Sequence, residues 1–477
     1  MRRQHGTASP PIPVQIWKIA AVSGTGAFMA MLDSTVANLA LESVRADFDS
    51  TLSLVQWVAT GYLLALAVSL PATGWLGNRY GYGRVWASAL AAFVVGSILC
   101  ALAPGPLTLI GARFLQGLAG GLMVPAGQAV LGSTANPKQL GRLMGTLGLV
   151  IALGPAIGPA MGGLLLELGS WRWLFWINVP IGIAALIASR GLVPAGSTDT
   201  ERPLDRKGFA LLAIGLPLLL YGATEIGAAG ATAVTVLSVI AGAVLAALFV
   251  LNALHTSTPL IDLRLLKRKT FAAATATAGL TGANMYGGLL LLPLYLQLPL
   301  GQDTTETGVM LLVMGLGSAL ALPVSGMLTD RFSAGPVIMM GASLLVITSI
   351  PFLLPTAPSD ALLGLILFSR GVGVALAQMP AMAAAYASVT SNEMGDATTL
   401  VNIVQRIGGA IGAVCMVIML TQDSSDNFSA YTWAFATLAI ISSLPLILTV
   451  FLWQRPRHFH RYAPESRADR ATDDETW

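Results

Sequence analysis

Charge is scarce in this chain. Asp, Glu, Lys and Arg make up 10% of 477 residues, where soluble domains carry roughly 25%, so an ordinary water-soluble domain is excluded. Cysteine is scarcer still: Cys100 and Cys415 each fall inside an apolar block without His or Cys neighbours, which excludes a disulfide framework and a thiolate metal site. The four histidines, His5, His255, His458 and His460, lie in the termini and one loop, with no pair at helical ligand spacing. No metal and no cofactor are expected. A GxxxxGK[ST] loop and a nucleophile-base pair are absent too, which disfavours an ATP-driven pump and an intramembrane enzyme. The tail from Arg455 to Trp477 mixes both signs and reads as a solvated end, so no nucleic-acid partner is expected.

What is abundant is apolar sequence, 55% of the chain, arranged in blocks of about twenty residues, the length that crosses a hydrocarbon core as a helix. Spans are expected near 15–41, 52–75, 84–103, 106–131, 142–168, 173–193, 208–227, 232–252, 271–297, 306–329, 335–355, 360–386, 397–420 and 431–453. The first block follows Arg2, Arg3 and Lys18 but is too long for a secretory signal. Lys and Arg concentrate in alternate connections, such as Arg79 and Arg84, Lys138 and Arg142, Arg202 to Lys207, and Arg264 to Lys269. The opposite connections carry acids, with only Arg45 and Arg172 as bases. The positive-inside rule then places both termini in the cytoplasm of a multi-pass inner-membrane protein whose surroundings are the lipid bilayer.

An internal repeat divides the chain. "GWLGNRYG" at 74–81 recurs as "GMLTDRFS" at 326–333, and "RFLQGLAGGLMVPA" from Arg113 is echoed by "RGVGVALAQMPA" from Arg370. The copies lie too far apart for six spans alone, so two extra helices intervene. The expected organisation is a terminus at 1–14, a six-helix bundle at 15–193, a linker at 194–270 holding 208–227 and 232–252, a second bundle at 271–453, and a tail at 454–477. Parallel repeats of this kind carry alternating access in many transporters.

The fifth span contains Gly145, Gly154, Gly158, Pro159, Gly162 and Gly163. Glycines three and four apart share a helix face and admit a close neighbouring backbone. With "GWLGNRYGYGR", "LIGARFLQG", "LDSTVANLAL" and "WRWLFWINVPIG", this pattern resembles the major facilitator superfamily, and within it the drug:proton antiporter branch with fourteen spans. The resemblance implies an all-α membrane fold of two six-helix bundles plus two extra helices. It also implies efflux of small-molecule cargo against protons, driven by the proton gradient, by a functional monomer; a periplasmic adaptor protein is an optional partner. It makes the span-five glycines, Asn78, Arg79, Arg84, Asp330 and Arg331 parts of the conformational switch. The branch carries an acid where this chain has Asn78, an acid that latches the cytoplasmic side when the protein opens outward. A neutral amide makes a weaker bond than a carboxylate, so the N-terminal latch is expected to be weak, unless Asn78 only bonds the turn.

Asp33 stands about 25 Å along its helix, while the other acids sit in loops or near span ends. A buried acid beside a cavity can load and release a proton as its surroundings alternate; a structural acid paired with a nearby arginine is the other reading. Gly26, Ala30, Asp33 and Ala37 share one narrow face. Among the embedded arginines, Arg113 is the expected partner of the proton site. Arg370 and Arg406 are charges of the second half, and Arg406 either anchors the corresponding place or snorkels to an interface. One central acid against three arginines suits a neutral, zwitterionic or monocationic cargo. Candidate cargo contacts are Gln56, Trp57, Tyr62, Gln116, Gln128, Asn284, Tyr286, Tyr295 and Gln378, with Trp57 equally suited to an interfacial anchor. Export of one endogenous metabolite, lipid or siderophore is the alternative function.

Overall fold

The computed structural model describes residues 11–452 apart from 168, 197, 200–201, 355–357 and 422–426. The expected terminus at 1–14 is therefore described only from residue 11, and the tail at 454–477 lies outside the described residues. Helices account for the rest of the bundle, and no strand occurs among the described residues. In lipid this is forced, because a helix satisfies its own backbone hydrogen bonds where water is missing.

The first half comprises α1 (Val14–Leu39), a short α2 (Leu41–Asp47), α3 (Leu52–Ser69) leading through a 3-10 turn into α4 (Thr73–Tyr80), α5 (Tyr82–Ala101), α6 (Pro106–Thr134) and α7 (Leu140–Glu167). The expected span 173–193 is broken at Ile177 into α8 (Trp173–Trp176) and α9 (Asn178–Leu192). The added pair is α10 (Arg206–Ala229) and α11 (Ala233–His255). The second half comprises α12 (Lys269–Gln297), α13 (Thr304–Phe332), α14 (Ala334–Ser349), α15 (Asp360–Ala387), α16 (Met394–Thr421) and α17 (Asn427–Leu452). A helix stands at each of the fourteen expected positions. Among the described residues twelve candidate spans are long and apolar enough to cross a membrane; α7 and α12 are not among these.

Within the first half α1 packs on α6, α7 and α9, while α3 and α5 pack on α6; in the second, α12 packs on α15, α16 and α17, and α15 also on α13 and α14. Helices α10 and α11 pair with each other, and α10 also touches α3 and α16, one helix from each half. The repeated turn is built alike in both copies. Gly81 ends α4 at φ 89° and Ser333 ends α13 at φ 74°. Glycine enters that region freely whereas serine is strained there. A side chain at 81 would also run into the Ala195 carbonyl oxygen.

The halves meet through α7 with α13 and α15, and through α4 and α6 with α16. Every described hydrogen bond and ion pair between the halves, or from the linker to the second half, lies toward the connections rich in Lys and Arg. Toward the acidic connections the first half presents Ile157 and Leu164 exposed, at 37% and 65%. The described contacts between the halves thus close the molecule on its basic face.

Candidate functional site

Asp33 lies inside the first half, in a polar cluster drawn from five helices. Its Oδ2 accepts from Arg113 Nη1 on α6 in a closely bonded ion pair. Its Oδ1 accepts from Gln116 Nε2 on α6 and from Asn178 Nδ2 on α9, each at 3.0 Å. Gln116 Nε2 also reaches Ser97 Oγ on α5 at 2.7 Å, and its Oε1 takes a second bond from Arg113 Nη1 at 2.7 Å. Arg113 Nε donates to the Val58 carbonyl on α3 at 3.0 Å, and its guanidinium lies 4.2 Å over the Tyr62 ring. The Arg113 side chain is 0% exposed and that of Asp33 1%.

The sequence places Asp33 beside a cavity; here it is enclosed. The narrow face of α1 is the reason. Gly26 lets the Trp86 indole press against the helix, and the Tyr62 hydroxyl donates to Ala30 O at 3.2 Å, so small residues admit aromatic rings. Arg113 Nη2 and Asn178 Oδ1 are buried without a hydrogen-bond partner among the described residues. The cluster thus keeps an unused donor and an unused acceptor beside the acid, in a medium where a lone charge costs several kcal/mol.

The span-five glycines pack directly behind this acid. A Cβ at Gly154 would lie 2.7 Å from Met31 Cβ, one at Gly158 would strike Thr35 Oγ1, and one at Gly162 would lie 2.7 Å from Leu39 Cδ1. Gly163 has open space instead, and the Pro159 side chain lies outside the described residues. Gly145 faces the other half, where a Cβ would lie 2.6 Å from Leu322 O. A matching seam in the second half, unread in the sequence, brings Gly408 and Gly412 of α16 against the backbone of Gly279 and Ala283 of α12.

On the basic face, Arg142 Nε donates to Asp330 Oδ2 at 2.8 Å across the halves. Asn78 has no such pair: its Oδ1 accepts from the Tyr82 hydroxyl at 2.8 Å, within the turn. Arg202 from the linker reaches Asp396 of α16 at 3.0 Å, and its Nη2 also donates to Pro259 O at 2.9 Å. Acid and base are thus present beside α4, on α16 and the linker. Gln128 Oε1 accepts from the Tyr386 hydroxyl at 3.0 Å and from Asn402 Nδ2 at 2.7 Å, both from the second half. The Arg79 guanidinium stacks over Trp75 and that of Arg331 over Phe332, while Arg84 is exposed.

The candidate cargo contacts divide. Gln56, Trp57 and Tyr286 are exposed and Gln378 is half-buried. Tyr62 and Gln116 belong to the Asp33 cluster, Gln128 to the contact between halves, and Asn284 to a bond with Arg370. Tyr295 is a packing residue, edge-on to Phe352, Tyr431 and Phe435 at 5.2 to 5.7 Å. These five are taken up inside the protein, because their polar atoms or rings are already engaged by neighbouring helices. Arg370 is 1% exposed and bonded to neutral groups. Arg406 is half-buried, makes no ion pair among the described residues, and lies within electrostatic reach of Tyr62 in the other half. Residues missed in the sequence are Asn178, Ser97, Arg202 and Asp396; Asn178 lies within "WINVP", where nothing in the spacing marks its role.

On the acidic face outside the spans, Asp47 accepts from Arg172 at 2.9 Å and from Trp171 Nε1 at 3.1 Å. These bonds hold its carboxyl below the usual range, that from Arg172 foremost.

Two helical bundles, the first of them enclosing a buried ion pair, define a multi-pass membrane protein. The Major Facilitator Superfamily profile matches residues 24–413. The multidrug resistance protein B homolog of Mycobacterium tuberculosis is 35% identical over 428 residues, which is 88% of this chain and 79% of that one. The putative multidrug resistance protein MdtD of Escherichia coli is 30% identical over 475 residues, 96% of this chain and 98% of that one. The solved structure of the proton:xylose symporter XylE superposes with a TM-score of 0.64 at 14% identity, covering 92% of this chain and 96% of its own. The human organic anion transporter MFSD10 gives 0.62 at 15%, covering 92% and 100%. At these identities the two structures bear on fold alone. The chain belongs to the Major Facilitator Superfamily.

Proposed function

We propose that this chain is a proton-driven antiporter that exports small amphipathic compounds, neutral, zwitterionic or monocationic, by alternating access. The observation that carries the reading is the Asp33–Arg113 pair, sealed inside the first half among Gln116, Asn178 and Tyr62. In its charged form the acid is neutralised by Arg113. Protonation breaks that balance and leaves the guanidinium seeking another acceptor, so the two forms favour different packings of α1, α6 and α9. The glycine seam of α7 lies against the same turn of α1 and offers a route from that change to the interface between the halves. Relatives named for multidrug resistance support drugs as the cargo class.

The basic face is read as cytoplasmic, with both termini on that side of the inner membrane, which makes the present conformation one closed toward the cytoplasm. The protein works as a monomer, as two six-helix bundles joined by the α10–α11 linker, without a cofactor. A periplasmic adaptor is a further partner to test. One charge crossing 100 mV is worth about 2.3 kcal/mol, so one proton per cycle sustains modest uphill export of a neutral or zwitterionic compound from the electrical term, whereas exchange for a monocation moves no net charge and draws on the pH gradient alone.

The test is reconstitution in proteoliposomes with a pH-sensitive dye inside. Adding a monocationic drug should drive proton movement in the native chain and none in Asp33→Asn. Concentrative export left intact in Asp33→Asn would overturn the coupling. Efflux of a dication equal to that of a monocation would overturn the cargo class. A drug-susceptibility profile flat across many compounds would favour the endogenous metabolite, lipid or siderophore.

A further inference from the structure

The second half contains the Asp33 site over again with its carboxylate replaced. Arg370 on α15 donates Nη2 to Asn284 Oδ1 on α12 at 3.1 Å and Nη1 to Ser349 Oγ on α14 at 3.1 Å. Asn284 Nδ2 donates in turn to Ser442 Oγ on α17 at 2.5 Å. In the first half the corresponding helices supply Asp33 from α1, Ser97 from α5, Arg113 from α6 and Asn178 from α9. Each participant stands on the first, third, fourth or sixth helix of its half, and the repeat already aligns Arg113 with Arg370. All four members of the second cluster are buried, at 0% to 2% exposure.

The chemical difference is a carboxamide for a carboxylate. An ionised acid only accepts hydrogen bonds, whereas an amide accepts at its oxygen and donates at its nitrogen, as a protonated acid does at its two oxygens. The sixth-helix partner differs accordingly. Asn178 donates its amide to Asp33, while Ser442 offers Asn284 a hydroxyl oxygen that accepts. Arg370 therefore holds to its first-helix neighbour without a counter-charge, and no carboxylate lies within ion-pair distance of it among the described residues. A buried cation left so is costly, and the second half carries that cost in every state, where the first half carries it only when Asp33 is protonated.

We propose that Asn284 and Arg370 form a proton-silent copy of the Asp33–Arg113 site, held in the bonding pattern that Asp33 reaches only on protonation, and that the amide at 284 restricts coupling to one proton per cycle. This rests on the antiport reading above and extends it to stoichiometry. Asn284 becomes the residue that sets the coupling ratio, with Arg370 its bonded but proton-silent neighbour, and neither is a contact for cargo. An acid at 284 is close in shape to the amide, would gain an ion pair with Arg370, and would leave Ser442 able to turn its hydroxyl into a donor.

The experiment uses the full chain in proteoliposomes with ethidium as the transported monocation. The proton-to-ethidium ratio is read from the ethidium gradient that just stops net flux under a fixed pH gradient with the membrane potential clamped at zero, about tenfold per pH unit for one proton and a hundredfold for two. The native chain and Arg370→Gln should both give a ratio of one, Asn284→Asp a ratio of two, and Arg113→Gln no coupling. A ratio of one in Asn284→Asp with ethidium binding retained overturns the proposal, and so does loss of coupling in Arg370→Gln. Where Asn284→Asp fails to fold, the contrast between Arg370→Gln and Arg113→Gln decides alone. Asp33→Asn run alongside separates the two readings: coupling that persists there sinks the antiport assignment, whereas coupling lost there with an unchanged ratio in Asn284→Asp sinks only the stoichiometry.

Discussion

Asp330 on α13 and Arg142 on α7 are joined across the two halves by two hydrogen bonds to the same carboxylate oxygen, from Arg142 Nε at 2.8 Å and from its backbone nitrogen at 3.3 Å. The Asp330 side chain is 4% exposed, so water screens the pair poorly. Asp330→Asn keeps the shape and loses the charge assistance, which is worth about 1 kcal/mol and hence about a five-fold shift toward a conformation open on the basic face. Distances between fluorophores placed across that face would report it, and unchanged populations would contradict it. Asn78→Asp should shift the same distribution the opposite way, toward the closed basic face, because a carboxylate makes the charge-assisted bond that the neutral amide lacks. The Tyr82 hydroxyl that bonds Asn78 also bonds Gly74 O, and Gly74 abuts Asp396. An acid at 78 thus receives a charge-assisted bond from the Tyr82 hydroxyl beside the Arg202–Asp396 pair.

Gly158 is the tightest of the three seam glycines against α1, because a methyl group there meets Thr35 Oγ1 and Cβ, two residues beyond Asp33. Gly158→Ala should force α7 and α1 apart at a cost of about 1–3 kcal/mol, the range for overpacked sites. Gly163→Ala, with nothing within 4 Å of the added carbon, should cost little. Thermal unfolding in detergent measures both, and equal destabilisation would show that the seam is not the cause.

The helices were legible in the sequence because a span of twenty apolar residues is a property of composition, independent of what it packs against. Asp33 and Arg113 were legible because each is a charge deep in such a run. Asp330 was legible through its repeated turn. Other parts depend on contacts with no sequence period. Gln128 meets Tyr386 and Asn402 only once the halves close, and Arg202 reaches Asp396 only because the linker folds back beside α16. Asn284 reads as a cargo contact by type alone; its partner Ser442 lies on another helix. Tyr295 misleads for the same reason, since a tyrosine within a span looks equally suited to a cavity and to the aromatic core it occupies.

The Asp47 clamp predicts a pH window. Hydrogen bonds from Arg172 and Trp171 favour the ionised carboxyl and lower its titration in the folded chain. A depressed acid contributes its bonds fully above its unfolded value and loses them as pH falls through the lowered folded value. The clamp between α2 and the 168–173 connection should therefore hold from about pH 7 to about pH 5 and fail only in strong acid, below about pH 3.9. Hydrogen exchange of residues 42–50, corrected for intrinsic rate, should stay protected across that window in the native chain and be raised throughout it in Asp47→Asn. Protection lost by the native chain between those two values would refute the clamp.

Tyr295 and Tyr286 offer a paired contrast on one helix. Tyr295 is 2% exposed and edge-on to three rings, whereas Tyr286 is 40% exposed with its ring against Gly409 of α16. Removing a buried ring from such a cluster leaves a cavity and loses edge-to-face contacts, so Tyr295→Ala should destabilise by about 3 kcal/mol or more. Tyr295→Phe keeps the ring and should be nearly neutral. Tyr286→Ala should stay within about 1 kcal/mol of native stability and weaken dye binding by about five-fold, the loss of one exposed aromatic contact. Detergent-solubilised protein followed by intrinsic fluorescence and dye titration gives both quantities on one sample. Weakened dye binding in Tyr295→Phe at native stability would return that hydroxyl to the cargo path, and unaltered binding in Tyr286→Ala would remove Tyr286 from it.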